Sequence, residues 1–364
     1  MADYQDKIKE MEEELSKMQY NKRTQHHYGL VRAKIARLKE TEVRRGSGGK
    51  KPEGYSVKKS GDATVILCGF PSTGKSTLLN ALTNARSEVG AYAFTTLTVV
   101  PGLLEYGHAR IQVLDVPGIV HGAASGRGRG SEVLSVMRST DLCIIILDVF
   151  HPEHYEPLMK EIYDAGLRLN KEPPIIKIAK KPRGGIDVAF TIKQKLIDKK
   201  TVQDILKEFR IHNADVVIRS QITADDIIDA VEANKVYIPA ITLVNKIDIA
   251  SEEEIHAIEE IAKPDIKISA DKKTGIEELK AMIFRKLSLM RVYCKEIGKK
   301  ADIEVPMIIK KDSTIEGMCS RLHRDFVVKF KFARVWGKSA KFDGQKFMLS
   351  HKLLDGDIIE LHMR

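Results

Sequence analysis

The clearest chemistry lies in Gly69-Phe-Pro-Ser-Thr-Gly-Lys-Ser76, which matches the pattern G-x-x-x-x-G-K-[ST]. An apolar run precedes it and a helical pattern begins at Lys75, the context in which this pattern holds a nucleotide. The glycines let backbone N–H groups close around phosphates, while Lys75 supplies a cation and Ser76 a hydroxyl for Mg²⁺. The alternative is a glycine-rich turn with a surface lysine. The predicted phosphate-binding residues are Gly69, Phe70, Pro71, Ser72, Thr73, Gly74, Lys75 and Ser76.

Two further segments have the composition of phosphate-sensing loops. Asp115-Val-Pro-Gly118 follows an apolar run, where a carboxylate can hold a Mg²⁺-bound water and the Gly118 N–H can meet the γ-phosphate. Alone, such a tetrapeptide is usually a turn. Phe94-Thr-Thr-Leu-Thr98 is typical of a switch loop, with a threonine-rich edge strand as its alternative. The residues predicted here are Phe94, Thr95, Thr96, Leu97, Thr98, Asp115, Val116, Pro117 and Gly118, of which Thr96 and Gly118 join Lys75 as predicted catalytic residues.

A third pair of segments predicts which base is bound. Asp248, in Asn245-Lys-Ile-Asp248, can accept two hydrogen bonds from guanine groups that adenine lacks, which disfavours an ATPase. Ser269-Ala270 would supply a backbone N–H to the guanine O6. Because these motifs follow one another at the ends of apolar runs, where α/β proteins bind ligands, we expect one GTP site. Its base-side residues are Asn245, Lys246, Ile247, Asp248, Ser269 and Ala270.

The elements that must position these motifs alternate in kind. Short apolar runs predict strands, and helical patterns begin at Lys75 and cover 276–289, so the fold class is α/β with a mostly parallel sheet. Asp148 and Asn245 end successive strands but lie 97 positions apart, whereas a βαβ step needs about 30 residues. An inserted α+β subdomain is therefore predicted at about 168–234. The predicted strands are 63–68, 109–114, 142–147, 237–244 and 266–269.

The two ends of the chain differ from this centre. Apolar residues at helical spacing before and after a break near 25–29 predict a helical hairpin. A strand at 303–309 and a helix opened by a capping box, Ser313 to Glu316, predict a β-grasp domain. The predicted division is a hairpin at 1–45, a flexible basic linker at 46–61, a G domain at 62–290 and the β-grasp domain at 291–364.

Charge and composition narrow the class further. The net charge is +10, and residues 20–60 hold twelve Lys or Arg against three acids, while 290–364 hold sixteen against ten. Basic ends suggest terminal modules that meet a polyanion. The four cysteines are widely spaced, which disfavours a zinc or disulfide framework, and the longest apolar run, 142–147, is far too short for a membrane helix. A cytoplasmic protein is expected.

The quoted motifs, with Gly126-Arg-Gly-Arg-Gly130 and Phe330-Lys-Phe-Ala-Arg-Val-Trp-Gly337, resemble the developmentally regulated GTP-binding proteins, a branch of the Obg-like GTPases. The resemblance spans almost the whole chain and implies a C-terminal TGS domain. It implies that Ser76 and Thr96, with Asp115, hold Mg²⁺ and that 94–98 form switch I. It also implies a slow, potassium-stimulated GTPase tied to ribosomes or ribosomal RNA, which in eukaryotes is stabilised by a dedicated regulatory partner. We expect a monomer without membrane contact.

The predicted function is Mg²⁺-dependent hydrolysis of GTP to GDP and phosphate by a slow switch associated with translation. Ile119 stands where many GTPases place a water-orienting glutamine, so slow intrinsic turnover is expected. The glycine-rich stretch Gly122–Gly130 has the freedom to change conformation with the nucleotide. The alternative is an RNA- or ribosome-binding scaffold in which GTP is a structural ligand. Only the switch predicts that ribosomes accelerate hydrolysis.

Overall fold

The computed structural model describes residues 2–19, 21, 24–46, 61–83, 100–115 and 140–364. Several predicted segments lie outside these residues: most of the linker, the switch loop Phe94–Thr98, the residues Val116, Pro117 and Gly118, and the glycine-rich stretch that follows them.

The helices and strands are numbered in chain order. The helices are α1 (Ala2–Lys17), α2 (Gln25–Gly46), α3 (Lys75–Leu82), α4 (Tyr155–Asp164), α5 (Lys199–Glu208), α6 (Ala224–Glu232), α7 (Glu252–Ala262), α8 (Ile276–Lys286), α9 (Ile315–Leu322) and α10 (Arg324–Val328). The strands are β1 (Ala63–Cys68), β2 (Val100–Tyr106), β3 (Ala109–Asp115), β4 (Leu142–Asp148), β5 (Leu167–Leu169), β6 (Ile176–Lys180), β7 (Ile186–Phe190), β8 (Ala214–Ile218), β9 (Val236–Ile238), β10 (Ala240–Asn245), β11 (Ile266–Lys267), β12 (Leu289–Lys295), β13 (Met307–Lys310), β14 (Phe330–Trp336), β15 (Gln345–Phe347) and β16 (Ile358–Met363).

A six-stranded sheet forms the centre of the predicted G domain. Its order is β11-β10-β4-β1-β3-β2, and its pairs are parallel except β2 with β3. Every residue of β1 and β4 is buried, and alternate side chains of these strands enter one core with α3 and α8. Asn245 is in register with Asp148, and Leu67 with Asp115. The parallel strands therefore end at one edge, and the predicted mostly parallel sheet is confirmed.

The segment between α4 and β10 forms a separate small structure. Its strands order as β6-β8-β7, with β5 pairing β9, and α5 and α6 pack on the three-stranded sheet. By compactness the chain forms two units, Met1–Gly54 with Gly166–Tyr237, and Tyr55–Ala165 with Ile238–Arg364. Within the first unit, α2 is held to α5 and α6 by Arg37–Glu208 and Arg32–Asp225 ion pairs of 3.0 and 2.6 Å.

The C-terminal residues form a five-stranded sheet in the order β13-β12-β16-β14-β15 with α9 packed on it. This arrangement agrees with the predicted β-grasp. Strands β12 and β13 of this sheet also contribute to the core of the central sheet, in which Leu289 and Ile308 are buried. An ion pair of 2.9 Å joins Lys310 to Asp141, and Arg321 bonds to Asp62.

Four sequence expectations about boundaries are wrong. The strand predicted at 303–309 is β13, which begins at Met307, while Ile303 and Val305 are 66% and 71% exposed. The helix cap is Thr314, whose side chain accepts from the Gly317 N–H, and so the capping box beginning at Ser313 is not formed. The helix predicted at 276–289 ends at Lys286, and the hairpin break precedes Gln25.

Two further expectations concern excluded classes. Among the described residues, no helix combines the length and apolar character that crossing a bilayer requires. The four cysteines are free thiols, although Cys68 and Cys143, on neighbouring strands, bring their Sγ atoms to 3.3 Å. That hydrogen bond, and then burial, raise the pKa of the Cys68 thiol. Cys68 therefore stays protonated directly before the glycine-rich loop.

Candidate functional site

The glycine-rich loop 69–76 joins β1 to α3 in a conformation that depends on its glycines. Gly74 has a φ of 88°, and a Cβ there would lie 2.3 Å from the Asn245 Nδ2. A Cβ at Gly69 would lie 2.5 Å from the Ile146 carbonyl oxygen. Both distances are shorter than any side chain tolerates, so the sequence needs glycine at each position. The loop thus leads from a buried strand into a helix N-terminus, the arrangement that binds phosphate.

Lys75, the first residue of α3, is held across this loop. Its Nζ donates to the carbonyl oxygens of Gly69 and Phe70 at 3.0 and 2.8 Å. Burial lowers the pKa of Lys75, and the carboxylate of Asp115 opposes that effect. An ammonium group drawn partly out of water and placed within the loop is suited to phosphate oxygens, which would replace its lost hydration.

Ser76 and Asp115 form the candidate metal position. The Ser76 hydroxyl donates to Asp115 Oδ2 at 3.0 Å, which brings the end of β3 against the first turn of α3. Asp115 is buried, and its Oδ1 has no hydrogen-bond partner within the described parts of the chain. An unpartnered buried carboxylate oxygen is costly unless a ligand uses it. Hydroxyl and carboxylate oxygens are ligands that Mg²⁺ accepts, so the residues present fit this ion.

Asn245, the last residue of β10, connects two predicted motifs. Its Nδ2 donates to the Thr73 carbonyl at 2.9 Å, and its Oδ1 accepts from the Ala270 N–H at 3.0 Å. The side chain is buried, so both bonds are shielded from water. One amide therefore fixes the glycine-rich loop relative to the loop that begins at Ser269.

The residues after Asn245 extend along the same edge. Lys246, with a φ of 69°, donates from Nζ to Asp148 Oδ2 at 2.6 Å, while Asp248 is exposed. Ser269 is buried, and its Oγ accepts from the Lys272 N–H at 3.0 Å. The predicted residues at 69–76, Asp115, 245–248 and 269–270 therefore lie at the carboxyl ends of neighbouring strands. The predicted Thr96 and Gly118 lie outside the described residues.

Two contributors were absent from the predicted site. Asp148 holds Lys246, and Asp148 Oδ1 also accepts from the Phe150 N–H at 3.2 Å. His154 stacks on Phe70 of the glycine-rich loop, with ring centroids 4.1 Å apart and 18° between the planes. Asp148 could have been predicted from the sequence, because it is an acidic residue at the end of β4, the strand next to the one that ends at Asn245. The stack depends on the turn after β4, which no strand or helix pattern reveals.

Comparison with protein families gives matches along the chain. Residues 64–181 match a family described as "50S ribosome-binding GTPase", and residues 183–289 match the "C-terminal region of MMR_HSR1 domain". Residues 290–363 match the TGS domain. The last match begins within β12, so it covers the five-stranded sheet and the helices packed on it.

Curated proteins match over almost the full length. An uncharacterized GTP-binding protein of Methanocaldococcus jannaschii is 52% identical, over 98% of this chain and 92% of that protein. Developmentally-regulated GTP-binding protein 1 of Xenopus laevis is 44% identical over 98% of both chains. Developmentally-regulated G-protein 3 of Arabidopsis thaliana is 43% identical over 99% of both.

Proposed function

Because the chain belongs to the developmentally regulated GTP-binding proteins, we propose that it binds GTP and hydrolyses it to GDP and phosphate as a slow, Mg²⁺-dependent switch associated with ribosomes. The observation that carries this proposal is the Asn245 side chain, which joins Thr73 to Ala270. A phosphate-binding loop and a base-binding loop are thereby fixed to each other, as a nucleoside triphosphate site requires. The base is guanine, read by Asp248.

The chemistry assigns a task to each group. Backbone N–H groups of 69–76 surround the phosphates, and Lys75 places its charge on the β- and γ-oxygens. Ser76 and Asp115, with Thr96, would hold Mg²⁺, which neutralises charge that develops on the transferred phosphoryl group. Gly118 would donate its N–H to the γ-phosphate. Little covalent chemistry falls to the protein, so catalysis consists of positioning and charge stabilisation.

The remaining assignments are proposals of the same kind. We propose that 94–98 with 116–118 sense the γ-phosphate, and that 245–248 and 269–270 hold the base. The proposed division of the chain is 1–45, 46–61, 62–290 with its insertion at about 168–234, and 291–364. We also propose that potassium stimulates hydrolysis and that a dedicated regulatory protein binds the chain, as the resemblance implies.

The metal assignment is tested with paired hydroxyl variants. Ser76→Ala should impair Mg²⁺-dependent nucleotide binding, and Thr96→Ala should lower turnover more than GDP affinity. Thr77→Ala is the matched control, because Thr77 is the next residue of α3 and is exposed. Phosphate release and a fluorescent-GDP titration measure the two effects. If the Ser76 and Thr96 variants behave like the control, these residues do not bind the metal.

Turnover separates the switch from the scaffold. Ile119 cannot orient a water, so the isolated protein should turn over at about 10⁻⁴ to 10⁻² s⁻¹, with a higher rate in potassium than in sodium. Ribosomes should accelerate it. Single-turnover hydrolysis with and without ribosomes gives the answer: an unchanged rate on ribosomes would favour the scaffold in which GTP is structural. Fast turnover in sodium without any partner would contradict the assignment of a slow switch.

A further inference from the structure

The turn between β4 and α4 brings together three side chains, of which only His154 contacts the nucleotide site, through its stack on Phe70. His151, Glu153 and His154 each offer one ligand atom, and these atoms lie within 4.8 Å of one another. The His151 Nδ1 is 3.0 Å from Glu153 Oε1, and the His154 Nε2 is 4.0 Å from the same oxygen. The spacing His-x-Glu-His places Glu153 and His154 on the 3₁₀ turn Pro152–His154 and His151 at its N-cap.

We propose that His151, Glu153 and His154 form a binding site for a first-row transition-metal cation of the Zn²⁺ class. Two imidazoles and one carboxylate are a donor set that such cations use. Tetrahedral coordination with bonds near 2.0–2.1 Å places neighbouring ligand atoms about 3.3 Å apart. The two His–Glu separations of 3.0 and 4.0 Å bracket this value. The His151 and His154 rings are stacked, with centroids 4.9 Å apart and 25° between the planes, so the exposed His151 ring must rotate out of this stack to close the site. A fourth position is left for water.

The turn is prepared for binding in two respects. Its backbone is fixed, because Pro152 opens the 3₁₀ turn and the N–H groups of His151 and His154 donate to the carbonyls of Asp148 and His151 at 3.1 and 3.2 Å. The ligands are also reachable from water, since the side chains of His151, Glu153 and His154 are 51%, 64% and 31% exposed.

Binding there would act on the glycine-rich loop through one contact. The His154 ring, which stacks on Phe70, would be fixed by its bond to the cation. The site is distinct from the Mg²⁺ position proposed at Ser76 and Asp115, which offers only oxygen ligands. Imidazole nitrogens favour Zn²⁺, Ni²⁺ or Co²⁺ over Mg²⁺, so the two positions select different ions.

The test is a Co²⁺ titration of the full-length, metal-stripped protein in excess Mg²⁺, followed by visible d–d absorption. One Co²⁺ per chain should bind and be displaced by Zn²⁺. His151→Asn and Glu153→Gln should each weaken binding at least about tenfold, the least that loss of even a supporting hydrogen bond costs a metal site. The matched controls are His256→Asn and Glu260→Gln, an exposed His–Glu pair 3.8 Å apart without a second histidine. They should bind Co²⁺ like the wild-type protein.

Two outcomes would overturn the proposal: no Co²⁺ absorption with the wild-type protein, or equal affinity in the site and control variants. Circular dichroism checks that each variant is folded, and both substituted residues of the site are exposed. The titration measures no nucleotide binding or turnover. Its result therefore stands apart from that of the hydrolysis experiments.

Discussion

At the scale of single residues, Asn245 connects two loops, a structural role that its sequence motif does not predict. Replacing it with alanine leaves the Thr73 carbonyl and the Ala270 N–H without their partner in a buried place. Losses of about 1–3 kcal/mol are typical, which corresponds to GDP affinity weaker by about 5- to 150-fold. Asn213→Ala is the control, because it removes one amide that accepts from the Gly185 N–H at 2.8 Å in the other unit. Isothermal titration with GDP compares them, and equal affinities would show that Asn245 does not order the site.

Asp248 is the residue proposed to select guanine. Asp248→Asn should weaken GTP binding by about a hundredfold or more, because two hydrogen bonds to a charged group are lost. The amide instead presents a donor to the 2-oxo group of xanthine, so xanthosine triphosphate should bind better than GTP. Competition titrations with GTP, xanthosine triphosphate and ATP measure this. If ATP competed with GTP at the wild-type protein, the guanine assignment would be wrong.

Residue types at strand ends were sufficient to predict much of the candidate site. Lys75, Ser76, Asp115 and Asn245 come together because parallel strands end at one edge, so their order along the chain already implied their proximity. The Lys246–Asp148 pair required the register of β10 against β4, which spacing alone does not give. The stack of His154 on Phe70 arises from an irregular turn and has no periodic signal.

At the scale of elements, one buried ion pair joins β5 to α6 in the inserted subdomain. Arg168 donates from Nε and Nη2 to the two carboxylate oxygens of Asp229 at 2.6 and 2.7 Å, and both side chains are buried. Removing one partner leaves a buried charge, so Arg168→Met or Asp229→Leu should each cost about 3–5 kcal/mol of unfolding free energy. The double variant should recover most of this loss, because an apolar pair leaves neither charge alone.

Native-state hydrogen exchange of the β5 and α6 amides measures this prediction locally. Lys280→Met is the control, since its pair with Glu277 is formed by an exposed glutamate and should be worth less than about 1 kcal/mol. Equal protection in the two single variants and the wild-type protein would show that the buried pair does not hold α6. A double variant as unstable as the singles would show that the loss lies in packing.

A strand with a continuous apolar run was predictable from the sequence, whereas strands with an interrupted pattern or with helical spacing were not. β1 is fully buried and, except for Thr64, apolar, so its run of six residues gives both ends. β2 contains Pro101 and Gly102, which weaken any strand pattern, and it lies at the antiparallel edge where proline is tolerated. β12 follows α8 after only two residues, and its apolar positions continue the helical spacing. Pairing with neighbouring strands determines the secondary structure of such segments.

At the scale of the whole molecule, some of the excess basic residues near the ends of the chain form ion pairs within the protein. Arg32, Arg37 and Lys39 pair with Asp225, Glu208 and Glu12, so these charges hold the hairpin and its neighbours together. Arg321, one of the basic residues of the C-terminal module, bonds to Asp62. Truncation after Leu289 would also remove Ile308 from the core of the central sheet. Charge substitution therefore tests polyanion binding more cleanly than deletion does.

The exposed basic residues of the C-terminal module should bind ribosomal RNA. Replacing Arg324, Lys329, Lys331 and Arg334 with Gln removes four exposed charges. Each phosphate contact contributes about 0.7–0.9 to the slope of log K against log salt, so the slope for ribosome binding should fall by about 3 if all four make contacts. The control replaces four exposed lysines of the inserted subdomain, Lys193, Lys195, Lys199 and Lys200. Co-sedimentation across a salt titration compares the variants at equal net charge.

GTP binding should be unchanged in both, because neither set lies in 69–76 or 245–270. A smaller slope in both variants would mean that charge acts without regard to place, and an unchanged slope in the first would assign RNA binding elsewhere.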